Sequence, residues 1–198
     1  MSGVRQALTI EDAEVNAALD RVARAGGDTS ALMAEIGAAM LYSVQRRFER
    51  ETGPDGTPWP RHAPRTARQR ARRRSRGNAP LTPKLLRDSA RLFSSITSET
   101  TPETAAVGTN VVYAAIHQTG GTITQYPQSR KVRFRKVGGR LRFARKAHKR
   151  AFEKPVTYGT RTIVIPARPY LGFSDADRAE ILALAEAHFE AAAGEGRA

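Results

Sequence analysis

The chain has 198 residues, no cysteine, and 33 Lys/Arg against 19 Asp/Glu, a net charge of +14. Without cysteine there is no disulfide, thiolate metal site or cysteine nucleophile, which fits a reducing compartment. No apolar run approaches the roughly 20 residues that span a bilayer, and MSGVRQALTIEDAEV turns acidic where an export signal needs an apolar core; synthesis in the cytoplasm and no membrane partner are expected.

Ala7–Ile10 predicts a short strand. Glu11–Ala25 predicts a helix with Val15, Leu19 and Val22 on one face, ended by Gly26-Gly27. Asp28 is placed to cap a longer helix reaching Arg50. In it Leu32, Ile36, Met40, Val44 and Phe48 recur every fourth residue, a stripe wide enough to face a core. ETGPDGTPWPRHAP (Glu51–Pro64) is rich in Pro and Gly and reads as irregular. Trp59, between two prolines, is either an anchor folding this loop onto the body or a contact for a partner.

Eight arginines then fall between Arg61 and Arg76, and Arg61–Lys84 carries +9 with no acid. So few apolar side chains predict a basic loop over 61–80, ordered by a partner if at all. Its candidate contact residues are Arg65, Arg68, Arg70, Arg72, Arg73, Arg74 and Arg76.

Leu85, Leu86, Leu92, Phe93 and Ile96 predict a helical face running into a strand, and SITSETTPETAAVGTN predicts a hairpin turning at Pro102-Glu103. Val111–Gln118 predicts a short helix or strand end in which Tyr113 and Ile116 pack inward. His117 closes it as a structural hydrogen-bonding residue suited to the negative end of a helix dipole, and Gly120-Gly121 permit a sharp exit.

KVRFRKVGGRLRFARK (Lys131–Lys146) alternates charged and apolar residues about Gly138-Gly139 and predicts a basic β-hairpin, part of an insertion over 129–158. Arg130–Arg161 carries +12, so this and the arginine segment leave −7 for the rest of a +14 chain. Ile163–Ile165 predicts a buried strand. Ser174-x-x-Asp177 predicts a capping box opening a last helix that buries Ile181, Leu182, Leu184, Ala185 and Phe189.

Together these elements predict one α+β domain over residues 1–198: an antiparallel sheet packed against N-terminal and C-terminal helices, bearing a long basic loop and a basic hairpin. The four histidines stand far apart in sequence, and no acid lies within three positions of His117, so no local metal site or triad is indicated. No cofactor and no enzymatic activity are expected.

Four motifs recur in an order that resembles the phage virion morphogenesis family. They are Phe48-x-x-Glu51-x-x-Pro54-Asp55-Gly56-x-x-Trp59, then Leu85-Leu86-Arg87-Asp88-Ser89-x-x-Leu92-x-x-Ser95-Ile96. After Val107-Gly108-Thr109 comes Tyr113-Ala114-x-Ile116-His117-Gln118-x-Gly120-Gly121, and last Ile165-Pro166-Ala167-Arg168-Pro169-Tyr170-Leu171-Gly172. Ala90 stands where such proteins commonly have a glycine, and Gln125–Tyr158 is longer and more basic than the family core requires.

The resemblance implies a non-enzymatic part of the virion, in tail completion, tail termination or the neck, joining the tail to the DNA-filled head. It implies a homo-oligomeric ring, a hexamer in our reading, whose partners are other neck, connector and tail-tube proteins, with weak contact to packaged DNA. The location implied is the head–tail junction of the virion, after assembly in the host cytoplasm. In this reading Tyr113, His117, Gly120, Gly121, Pro166, Arg168 and Pro169 are a structural signature. A basic nucleic-acid-binding protein is the alternative: Arg68–Arg76 together with Arg133, Arg135, Arg140 and Arg142 would contact phosphates, and Phe134 and Phe143 would stack on bases.

Overall fold

A computed structural model describes residues 28–74, 84–145 and 148–195, with Ala13 and Ala17; the side chains of 72–74 and 192–195 are outside the description. Ala13 and Ala17 are helical, inside the expected first helix. The expected strand Ala7–Ile10, the remainder of that helix and Arg76 lie outside the described residues. The chain forms two compact units, one of residues 1–120 with 166–198, the other Gly121–Ile165. Both carry antiparallel β-structure, and the first also carries the helices, an α+β arrangement.

Helix α1, Ser30–Arg50, organises the first unit. The capping position is Thr29, whose side chain makes no capping bond, rather than the expected Asp28; Asp28, one residue earlier, accepts a 2.9 Å bond at Oδ1 from the Ser30 amide. The four-residue stripe then serves two cores. Leu32, Met33 and Ile36 pack with Ile181 and Ala185 of the last helix, α5 (Asp175–Glu195). Val44 and Phe48 pack with Trp59, Leu85, Leu92, Ile96, Val111, Ala114, Tyr170 and Leu171. Phe48, Tyr170 and Leu32 are almost wholly buried, each worth about 1.5–3 kcal/mol relative to exposure. The capping box opening α5 forms in both directions: the Ser174 amide donates to Asp177 Oδ2 (2.7 Å) and the Asp177 amide to Ser174 Oγ (3.2 Å). Phe189, expected inside, is 47% exposed.

Glu51–Pro64 is not irregular throughout. A bridge pairs Thr52 with Pro58, and Asp55 accepts bonds from the Thr57 amide and hydroxyl, closing a tight turn. The arginine segment departs further from expectation. Pro64–Arg74 is a helix, α2, rather than a loop. Proline suits a first helical position, and arginine is a good helix former, so helicity here does not require an apolar face.

The expected helix around Leu85–Ile96 shrinks to α3, Arg91–Ser94, because Leu86 and Ala90 take left-handed backbone angles, φ 54° and 56°. That conformation costs a residue bearing a Cβ about 1–2 kcal/mol. It also gives the glycine common at position 90 in the resembling family a physical reason. Ala90→Gly is expected to stabilise the protein by about 0.5–1 kcal/mol, the strain relieved less the added freedom of the unfolded chain, measured as a higher urea midpoint with unchanged slope. The hairpin β1 (Thr97–Thr100) and β2 (Ala105–Gly108) pairs Thr97 with Gly108 and Thr100 with Ala105 about the expected turn. Helix α4, Ala114–Thr119, follows. Its inward residue is Ala114; Tyr113 stays 40% exposed.

In the second unit β3 (Gly121–Gln125) pairs with β7 (Arg161–Ile165). The expectation that Ile163–Ile165 is buried fails. Successive side chains of a strand point to opposite faces, and Val164 is 73% exposed while Ile163 and Ile165 are half-buried. The basic hairpin is present as β4 (Gln128–Val137) and β5 (Arg140–Phe143), turning at Gly138 and Gly139, both with positive φ (56° and 76°) as a two-residue type I′ turn requires. It is not a hairpin alone. A third strand, β6 (Phe152–Tyr158), pairs with the other edge of β4, giving a three-stranded sheet in the order β5-β4-β6.

Candidate functional site

Residues of the first unit that lie far apart in sequence, Arg47, Trp59, His117 and Gln118, converge on one strap, residues 166–172. Gln118, at the end of α4, holds it with both ends of its amide: Nε2 donates to the Leu171 carbonyl (2.8 Å), and Oε1 accepts from the Tyr170 (2.9 Å) and Leu171 (3.1 Å) amides. Trp59 Nε1 donates to the Pro169 carbonyl (2.8 Å), and its ring meets Phe48 edge-on at 5.4 Å. Trp59 is only 4% exposed, so it is the anchor and not a surface contact. Arg168, itself buried, donates from its backbone to His117 O (2.7 Å), from Nε to Pro60 O (2.8 Å) and from a terminal nitrogen to Arg61 O (3.3 Å). Pro166 is exposed and Pro169 half-buried. The Tyr170 hydroxyl donates to Ala114 O (3.3 Å), and burial pushes its pKa up to about 12.

Beneath the strap lies a buried ion pair. Arg47 donates to the carbonyls of Tyr170 (3.0 Å) and Gly172 (2.7 Å) and to Asp177 Oδ2. Asp177 also accepts from the Ser43 hydroxyl. Burial alone would raise the Asp177 carboxyl, but bonds from Ser43 and Ser174 and the charge of Arg47 outweigh it and hold its pKa below the ordinary value. Glu51, at the left-handed C-terminus of α1, accepts from the Leu85 amide (2.6 Å). Arg47, Glu51, Gln118 and Asp177 are the residues that sequence reasoning did not single out as a site. The available signal was that Arg47 falls on the apolar stripe, three after Val44.

His117 contributes mainly through its carbonyl. Its side chain is half-buried, and Nδ1 has no hydrogen-bond partner among the described residues. Burial and the nearby Arg168 and Arg70 charges lower its pKa, so it is neutral at pH 7 and no cation for the dipole. Its ring lies edge-on to Tyr113 at 5.8 Å. Gly120 makes the expected sharp exit with φ 71°, and Gly121 opens β3.

The cationic candidates divide. Arg65 and Arg68 are exposed on α2, while Arg70 is turned to its own chain, 3.1 Å from His62 Nε2 and 3.8 Å from Asp88. Arg72, Arg73 and Arg74 continue the helix. On the sheet, the pairing of Arg135 with Arg142, Val137 with Arg140 and Arg133 with Glu153 puts Arg133, Arg135, Arg140 and Arg142 on one face. Arg133 bonds Glu153 (3.2 Å), and Arg135 lies 3.3 Å from His148. Phe134 pairs with Phe143 on the opposite face, the rings stacked at 5.2 Å. A single strand of nucleic acid therefore does not meet those four arginines and those two rings on one surface.

No helix among the described residues is long and apolar enough to cross a membrane. The sequence matches the phage virion morphogenesis family over residues 10–190. It is also 29% identical over 177 residues, 89% of this chain and 90% of the relative, to the Mu-like prophage FluMu G protein 2 of Haemophilus influenzae. No solved structure matches it.

Proposed function

Because the chain belongs to the phage virion morphogenesis family, we propose that its work is structural and lies at the head–tail junction. There it forms a homo-oligomeric ring, a hexamer, that completes the tail and joins it to the DNA-filled head. The observation that carries this reading is the use made of charge. Arg47 and Arg168 are consumed in holding the strap, whereas Arg65, Arg68, Arg140 and Arg142 stand exposed and take no part in either core. Such cations, on a chain whose remainder is net acidic, suit acidic faces of neighbouring subunits and of neck, connector or tail-tube proteins. A tight grip on phosphate would hinder DNA passing through a conduit, so any contact with DNA is weak and at the rim.

Reversing all four exposed arginines (Arg65→Glu, Arg68→Glu, Arg140→Glu, Arg142→Glu) tests the reading. Each is a surface change expected to move stability within about 0.5 kcal/mol. Heads and tails should then accumulate unjoined although the protein still folds; normally joined particles would contradict the proposal.

A further inference from the structure

We propose that the apolar face of the β5-β4-β6 sheet seats α5 of a second copy of this chain, so that neighbours in the ring meet sheet to helix. The inference rests on the ring reading above and supplies its contact surfaces.

The pairing register sets Phe143, Phe134 and Phe152 in a row across the three strands, with Val132, Leu141 and Val156 beside them on the same face. Phe143 is 74% exposed, Leu141 45% and Phe152 41%. Single exposed apolar residues are ordinary, but a contiguous aromatic row marks an interaction surface. Three cations share this face: Lys136 opposite Leu141, Lys154 opposite Val132, and Arg130 opposite Val156. The occupant therefore needs small side chains to approach bulky rings, acids to meet three cations, and a length near that of β4, roughly 33 Å for ten residues.

The outer stripe of α5 meets all three needs. Ala176, Ala179, Ala183 and Ala187 follow one another at helical spacing, flanked by Glu180, Glu186 and Glu190, all exposed. The stripe lies opposite the buried Ile181 and Ala185. Twenty-one helical residues span roughly 31 Å, and the stripe holds no Lys or Arg. A contact between two different surfaces repeats from copy to copy and closes into a ring when the rotation allows. The arginine face of the sheet is then left outward for other virion proteins.

The absence of cysteine permits a clean test. Full-length Phe143→Cys and Ala183→Cys chains are purified separately, mixed, allowed to assemble and mildly oxidised; both positions are exposed, so neither change disturbs a core. The expected result is a disulfide-linked species of twice the 21.6 kDa chain in the mixture and none from either variant alone. Linkage in Phe143→Cys alone would show that the sheet face meets its own copy and would overturn the assignment. Rings that form yet show no linkage in the mixture would give the face to another partner and overturn it too. A wild-type chain that stays monomeric at every concentration and in assembling particles would remove the ring reading itself.

Discussion

Replacing Arg47 by alanine is expected to destabilise the protein by about 3–5 kcal/mol, the cost of leaving the other member of a buried ion pair uncompensated. The side chains of Arg47 and Asp177 are only 7% and 9% exposed, so solvent does little to screen the loss. The Tyr170 and Gly172 carbonyls also lose their donor. Arg47→Lys should recover less than half of the loss, because one ammonium on a flexible stem cannot reproduce a planar fork reaching two carbonyls and a carboxylate. In a double-mutant cycle Arg47→Ala with Asp177→Ala should cost less than the sum of the single changes. The pair also sets an acid limb. Asp177 has a folded pKa below the ordinary 3.8, so its contribution is complete above that value and is lost as pH falls through the folded one. Urea unfolding from pH 7 down to pH 2 should show this loss in the wild type and a flatter acid limb in Asp177→Asn.

Trp59→Ala should cost about 3–5 kcal/mol, as large-to-small changes of buried aromatic residues do. The cavity would open between Phe48 and the strap that Trp59 anchors. Trp59→Phe keeps most of the ring and removes the donor to Pro169, leaving a loss of about 1–3 kcal/mol for the unpaired carbonyl. Thermal and urea unfolding of the two variants give the ranking. A tryptophan that served only as a partner contact would leave both midpoints where they are.

The elements legible in the sequence are those whose cause is local. The stripe from Leu32 to Phe48, the turns at Pro102-Glu103 and Gly138-Gly139, and the Ser174–Asp177 capping box each depend on residues a few positions apart, and each forms as read. The arginine helix was hidden by composition. A segment with little to bury reads as unstructured, yet Pro64 starts a helix well, and Arg70 ties this one to His62 and Asp88. The third strand, β6, was missed because its pairing with β4 spans from Gln128↔Tyr158 to Phe134↔Phe152, with the whole hairpin between. The clamp was hidden by distance. Arg47 meets Tyr170, Gly172 and Asp177 across more than a hundred residues. No periodicity reports such a meeting, although the four motifs of the family resemblance did mark most of the segments that take part.

Locating the chain in purified, mature virions tests the central claim most directly. Gold-labelled antibody against it should mark the head–tail junction of intact particles, with protein mass spectrometry showing several copies per virion. Virions that lack the chain, or carry it only along the tail shaft or on the capsid faces, would contradict the account.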